Sequence, residues 1–318
     1  MRTIVLTIAV IMGLGALGIV TAAARVLGLR TSLREAAAAD EKHTILVGSL
    51  RRNHLLHVPE DLPAGKPAPL VLVFHGGSGH DWNMPGFTHF DDLADQQGFV
   101  VAYPDAINKY WNAGRNASNA DDLGFTRALI DDVSGAHSID ARRVYATGIS
   151  NEGFFSNRLA CDLGDKIAAI ASVAATMPEP LAIACKPSRA PSVMYIHGTE
   201  DPRVPINGGK IGFRRGRSFG ECISLADAEA FWRKNDGIRS ASTATDLPDR
   251  AGDGTHVRRE IWSGGSYDTE IVVYTIQGGG HTWPGGPQYL PKLIVGNASQ
   301  NLNATRTIWE FFQTQVLP

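Results

Sequence analysis

A hydroxyl, a carboxylate and an imidazole recur in the chain in loop contexts and in one order: Ser150, Asp201, His281. Together they can do acyl transfer from an ester, which needs an activated nucleophile, a base, a group to orient the base and donors for the oxyanion. Ser150 lies in Gly148-Ile149-Ser150-Asn151-Glu152-Gly153, after Arg143-Val144-Tyr145-Ala146-Thr147 and before a stretch in which Phe154, Phe155 and Leu159 take helical positions. A serine on such a strand-to-helix turn is exposed to attack, and the backbone N–H of Asn151 would donate at the helix N-terminus, where the dipole favours negative charge. The plainer reading of Ser150 is a helix N-cap.

Asp201 follows Val193-Met194-Tyr195-Ile196 in His197-Gly198-Thr199-Glu200-Asp201-Pro202. A carboxylate just past a strand can hold an imidazole tautomer. Glu200 is the neighbouring alternative, and Asp before Pro is also a common turn former. His281 follows the run Ile271 to Ile276 through Gly278-Gly279-Gly280. Of ten histidines it alone combines a preceding strand, a glycine frame and the last place in the order. Three glycines give the backbone freedom to aim a ring, whereas an isolated loop histidine is usually a surface group. His75-Gly76-Gly77-Ser78 is the candidate for a second oxyanion donor, with the N–H of Gly77 preferred and Ser78 as the alternate; His75 reads as a packing and hydrogen-bonding residue.

The elements that must position these residues alternate along the chain. Strands are expected at His54–Val58, Leu70–Phe74, Phe99–Tyr103, Arg143–Thr147, Ala168–Val173, Val193–Ile196 and Ile271–Ile276. Several are unbroken apolar runs, which suit strands buried on both faces of a parallel sheet. Helical stretches fall at Asp91–Gln97, Asp122–Val133, after Gly153, and at Thr305–Gln313. The pattern predicts one α/β domain over residues 42–318, a mostly parallel central sheet with helices on both faces.

Hydrophobic residues make up 43% and charged residues 19% of the 318, and the formal net charge is −2. These values describe a globular chain with a sizeable core. Nothing suggests a nucleic-acid partner, since the sequence shows no basic stripe able to release counterions from phosphates, and short clusters such as Arg214-Arg215 and Arg258-Arg259 read as solvated surface. Residues 1–24 carry an apolar run, Ile4 to Ala24, ending in Ala22-Ala23-Ala24. They read as an export signal with a small-residue cleavage site or, uncleaved, as an N-terminal anchor, since ~20 apolar residues suffice to span a bilayer. Residues 25–41 read as a spacer. Either way the remainder is expected outside the cytoplasm, secreted or periplasmic, with membrane association only through an uncleaved first segment. Three cysteines fit one disulfide and one leftover thiol in an oxidising compartment. No two of them show metal-ligand spacing, and the chemistry calls for no metal and no organic cofactor.

Taken together, several motifs resemble the polyhydroxybutyrate depolymerase and feruloyl esterase group of α/β-hydrolases. They are Gly-Ile-Ser-Asn-x-Gly after Val144-Tyr145-Ala146-Thr147, His197–Asp201, Gly279-Gly280-His281-Thr282-Trp283-Pro284-Gly285, Tyr103-Pro104-Asp105, Trp111-Asn112, Asp121–Phe125 and Arg158–Cys161. The likeness runs from about residue 45 to the C-terminus. It implies the α/β-hydrolase fold, with Ser150 as nucleophile, Asp201 as acid and His281 as base. It supports a Cys161–Cys185 bridge that leaves Cys222 over. It also implies that Trp111 and Trp283 flank the cleft as substrate-binding faces, against a reading of both as core or rim packing. Two departures stand out: Glu152 occupies a position where the family has glycine, and Ile238 one where relatives often carry cysteine.

The resulting expectation is a serine esterase working through an acyl-enzyme, on a plant polysaccharide ester (feruloyl or acetyl) or a short-chain polyester, with a preference for soluble or oligomeric esters. The alternatives are a binding protein of the cell envelope on the same fold, its site blunted by Glu152, and an anchored protein with a chiefly structural role.

Overall fold

The computed structural model describes residues 41–318 apart from 64, 115–117 and 213–217, and the side chain of Glu41 is left undescribed. The expected export segment (1–24) and most of the spacer (25–41) lie outside the described residues. Among the described residues no helix is long and apolar enough to cross a membrane.

The described residues form twelve strands, β1 (Glu41–Val47), β2 (Leu50–His57), β3 (Ala68–Phe74), β4 (Val100–Pro104), β5 (Ile139–Ile149), β6 (Ala169–Val173), β7 (Ser192–Gly198), β8 (Gly209–Gly212), β9 (Ser218–Cys222), β10 (Thr243–Asp246), β11 (His256–Ser263) and β12 (Glu270–Gln277). Ten form one sheet in the order β1-β2-β4-β3-β5-β6-β7-β12-β11-β10, and β8 and β9 make a separate antiparallel pair. From β4 to β12 the neighbours are parallel. The β2–β4, β12–β11 and β11–β10 pairs are antiparallel.

The helices are α1 (Met84–Thr88), α2 (Phe90–Gln97), α3 (Asp122–Ala136), α4 (Asn151–Asp162), α5 (Glu179–Ala184), α6 (Leu225–Asp236), α7 (Lys292–Val295) and α8 (Ala304–Phe312). Strand alternation divides the core in two. Leu70, Leu72 and Phe74 of β3 pack with Phe125 and Leu129 of α3, Phe155 and Leu159 of α4, and Trp232 of α6. Val71 and Val73 point the other way, with Phe90 and Leu93 of α2 and Ile308, Trp309 and Phe312 of α8. The expected architecture is therefore present, helices on both faces of a largely parallel sheet. The central strands read as unbroken apolar runs because both of their faces are covered.

The edge elements were not foreseen. β10 is exposed along its whole length, so it carries no apolar run to read. The expected strand at His54–Val58 starts earlier, at Leu50, and ends at His57, since Leu50-Arg51-Arg52-Asn53 carries no apolar run to read. The Cys161–Cys185 bridge joins the C-terminal turn of α4 to the residue after α5, with the two Cα atoms 5.7 Å apart. Cys222 is buried and lies outside that bridge, its Sγ donating to Gly209 O at 3.6 Å. Ile238, at the second departure from the resemblance, is buried in the core.

Candidate active site

β5, β6, β7 and β12 run parallel side by side, and their pairing aligns Ile149, Val173, Ile196 and Tyr274 in one row. Ser150, Asp201 and His281 therefore all leave the sheet at the same, carboxyl, edge. This is where open α/β sheets place their ligands.

Ser150 sits between β5 and α4 at φ 65°, ψ −113°, a left-handed conformation that costs a non-glycine residue ~1–3 kcal/mol. Its N–H donates to Val173 O at 2.9 Å and its C=O accepts Phe154 N–H at 3.2 Å. The turn is tight enough to demand glycine before it. A Cβ on Gly148 would lie 2.5 Å from Glu152 Cβ and 2.7 Å from Phe74 O. Glu152 is fully buried, its stem lying back over Gly148, away from the open edge.

The N-cap reading of Ser150 is not what the geometry shows, since its side chain makes no capping bond. Asn151 is the first residue of α4, so its N–H has no intrahelical acceptor. Its side chain turns to the neighbouring loop, where Oδ1 accepts Trp111 N–H at 2.7 Å and Nδ2 donates to Trp111 O at 3.4 Å.

The loops bearing Asp201 and His281 are sewn together. Thr199 N–H donates to Ile276 O and Glu200 N–H to Gly279 O, both at 2.9 Å, and a Cβ on Gly198 would fall 2.2 Å from Gly279 O. His281 Nδ1 donates to Asp201 Oδ2 at 2.8 Å. Asp201 Oδ1 accepts the N–H groups of Arg203 and Val204, each at 2.8 Å. Burial alone would push this carboxyl up, but the charge and hydrogen bond of His281, aided by His197 and the Val204 N–H, hold it below the ordinary aspartate value. It stays an anion.

His197 stands 3.9 Å from Asp201 Oδ2 and bonds Val204 O at 3.0 Å; burial keeps its imidazole below the usual histidine range. Glu200, the neighbouring alternative, is exposed and has no bond to the imidazole among the described residues. His281 is gripped on both backbone sides, its N–H donating to Val295 O at 2.5 Å and its C=O accepting Tyr289 OH at 3.0 Å. Of the three glycines before it, only Gly278 has positive φ. Gly280 is needed for close approach, because a Cβ there would meet Val295 O at 2.2 Å.

Ser78 is not an available donor: its N–H is spent on Lys109 O at 3.0 Å and its hydroxyl pairs with Tyr110 OH at 2.9 Å. Gly77 makes no backbone bond through its N–H among the described residues. A Cβ on Gly77 would lie 3.6 Å from Asn151 Cβ and 2.9 Å from Tyr110 Cε1. The loop thus abuts the residue after Ser150.

The two tryptophans expected at the cleft are core instead, 0% and 1% exposed for Trp111 and Trp283, and offer no free aromatic face. Trp111 Nε1 donates to His75 O at 3.2 Å, and Trp283 Nε1 to Thr305 Oγ1 at 3.0 Å. Indoles with one satisfied polar atom pack well inside a protein. Tyr110 and Tyr289, partly exposed, were missed because a lone tyrosine in a loop carries no periodic signal. Arg52 and Asp122 form a buried pair at 2.7 Å, and Asp122 Oδ2 accepts Asn112 N–H at 2.7 Å, fixing the segment that carries Trp111. The Asp121–Phe125 motif thus supports the site from behind.

No family model matches the chain. Its curated relatives include "Putative esterase NocK" of Nocardia uniformis subsp. tsuyamanensis, 31% identical over 288 residues, which cover 87% of this chain and 83% of that protein. Feruloyl esterase C of Emericella nidulans is 25% identical over 82% of this chain and 83% of its own length. Feruloyl esterase B of Piromyces equi is 29% identical over 72% of this chain, which spans 42% of that longer protein. Among solved structures, the acetyl xylan esterase from Aspergillus awamori superposes with a TM-score of 0.55 at 14% identity, over 76% of this chain and 94% of that one. A thermostable esterase gives 0.56 at 13% identity, over 88% and 64%. At such identities the structural likeness is one of fold. With the sequence relatives it is enough to identify the protein: the chain belongs to the esterase family of α/β-hydrolases that includes the feruloyl esterases, and it is a carboxylic ester hydrolase.

Proposed function

We propose that Ser150, Asp201 and His281 are the nucleophile, orienting acid and general base of this esterase. The observation that carries the reading is the 2.8 Å bond from His281 Nδ1 to an ionised, buried Asp201, at the sheet edge where Ser150 stands in a strained turn. That bond leaves His281 Nε2 to take the Ser150 proton as Oγ attacks the ester carbonyl. Ser150 and the β12 end are three strand spacings apart, ~14 Å, a gap that the residues from Tyr274 to His281 are long enough to cross. The tetrahedral oxyanion lies against the N–H groups of Asn151 and Gly77. His281 then returns the proton to the leaving alcohol, and water repeats the sequence to release the acid.

The substrates proposed are hydroxycinnamoyl and acetyl esters of plant polysaccharide, as named for the feruloyl esterase and acetylxylan esterase relatives, with short-chain polyesters as the second class. Soluble or oligomeric esters are preferred. Export, with action outside the cytoplasm, is proposed on the apolar run Ile4 to Ala24.

The test compares p-nitrophenyl acetate and butyrate hydrolysis by the chain and its Ser150→Ala variant, with fluorophosphonate labelling of both. Hydrolysis and labelling both lost in a folded Ser150→Ala protein is the expected result. Undiminished turnover by that variant sinks the assignment. A panel of feruloyl, acetyl-xylan and hydroxybutyrate esters then ranks the substrate classes.

A further inference from the structure

The oxyanion loop contains a device that the triad does not explain. A peptide unit is planar and trans, so the Gly76 C=O and the Gly77 N–H point in opposite directions from one rigid plane. Whatever grips the carbonyl aims the N–H. Two donors grip it, Gly79 N–H at 2.8 Å and His75 Nδ1 at 3.0 Å. A carbonyl can only accept, so Nδ1 carries the hydrogen.

The imidazole is itself immobilised. Its Nε2 accepts Ala106 N–H at 3.0 Å, just beyond the end of β4, with Asp105 Oδ1 3.3 Å away. The His75 C=O accepts Trp111 Nε1, and the ring is fully buried. Gly79 closes over this arrangement so tightly that a Cβ there would lie 2.8 Å from Gly76 O and 3.3 Å from His75 Nδ1.

We propose that His75 is a positioning residue: by holding the Gly76 carbonyl, its Nδ1–H aims the Gly77 N–H at the oxygen of the ester carbonyl bound over Ser150. This rests on the nucleophile reading above. A packing role would need only the shape of the ring. An aiming role needs a donor at Nδ1, and oxyanion donors matter more in the transition state than in the ground state.

The two nitrogens can be separated by substitution. His75→Asn places an amide N–H near the Nδ1 position, whereas His75→Gln places its amide near Nε2 and leaves Gly76 O without that donor. The full chain, both variants and Ser150→Ala are assayed with p-nitrophenyl butyrate for kcat and KM, with thermal midpoints measured on the same preparations. The expected result is kcat about 10²-fold lower for His75→Gln at a KM changed less than about threefold, with His75→Asn recovering at least tenfold of the loss. Equal losses in the two variants, or losses that fall on KM or follow the thermal midpoints, overturn the proposal. Full activity in Ser150→Ala would instead overturn the nucleophile reading, a different result in a different protein.

Discussion

Ser150 occupies a backbone conformation that serines avoid, and the strain is sustained because β5 and α4 are fixed by packing on either side. Gly148 and Gly153 make the turn possible, the first against Glu152 and Phe74, the second against Ala175 and Ser172. Asp201 shows the same economy, with both oxygens committed, one to His281 and the other to two backbone N–H groups. Asp201→Asn should preserve the fold and lower kcat by about 10³–10⁴-fold, since an amide supports the wrong imidazole tautomer; steady-state kinetics beside circular dichroism would check it. Because the folded carboxyl is held below its unfolded value, its stabilising contribution is full above the ordinary aspartate range and fades as pH falls through the folded value.

At the level of elements, the segment carrying Tyr289 and Val295 holds the backbone of His281 from two directions. Burial, opposed in part by Arg203, pushes the Tyr289 phenol up to about 12, so it remains a donor at any working pH. Tyr289→Phe removes one hydrogen bond without altering the ring and should lower kcat about two- to tenfold with little change in thermal midpoint. A fall of many degrees in that midpoint with unchanged kcat would mean that Tyr289 serves stability alone. The Cys161–Cys185 bridge ties α4, which opens on the Ser150 turn, to the end of α5, closing a loop of 24 residues. A loop of that length is worth about 3 kcal/mol in the chain-entropy account. The Cys161→Ala/Cys185→Ala variant should therefore melt on the order of 5–10 °C lower while keeping most of its kcat.

Across the whole molecule, the edge of the sheet far from β12 carries a buried histidine that no bond of the site uses. His54 on β2 stacks on His43 of β1, ring centroids 5.2 Å apart, and is fully buried. Burial, with the charge of His43 adding to it, brings its pKa down to about 4. The unfolded chain then binds a proton on His54 between its ordinary value of 6.5 and about 4, where the folded chain does not. Stability is full above the unfolded value and falls as pH drops through that window. Denaturant midpoints measured from pH 7 to pH 4 should decline, and His54→Gln should flatten the decline; an unchanged slope in the variant would locate the titration elsewhere.

What was legible in the sequence was whatever local chemistry dictates. The unbroken apolar runs of β3, β4, β6 and β7 announce strands covered on both faces, and the serine motif, the His197–Asp201 segment and the glycine-framed His281 supply the residues of the proposed triad and their order. Tertiary structure alone decided which N–H groups remain available, because that depends on partners distant in sequence: Lys109 consumes the donor of Ser78, while the loop's own bonds leave that of Gly77. It also decided that Trp111 and Trp283 are buried supports, since an indole's type sets its appetite for burial but not which surface covers it. Tyr289, Arg52 and the imidazole of His75 became readable only once loops from separate strands met at one edge of the sheet. Hydrogen-bond geometry across such loops is a property of the folded chain, and no spacing along the sequence encodes it.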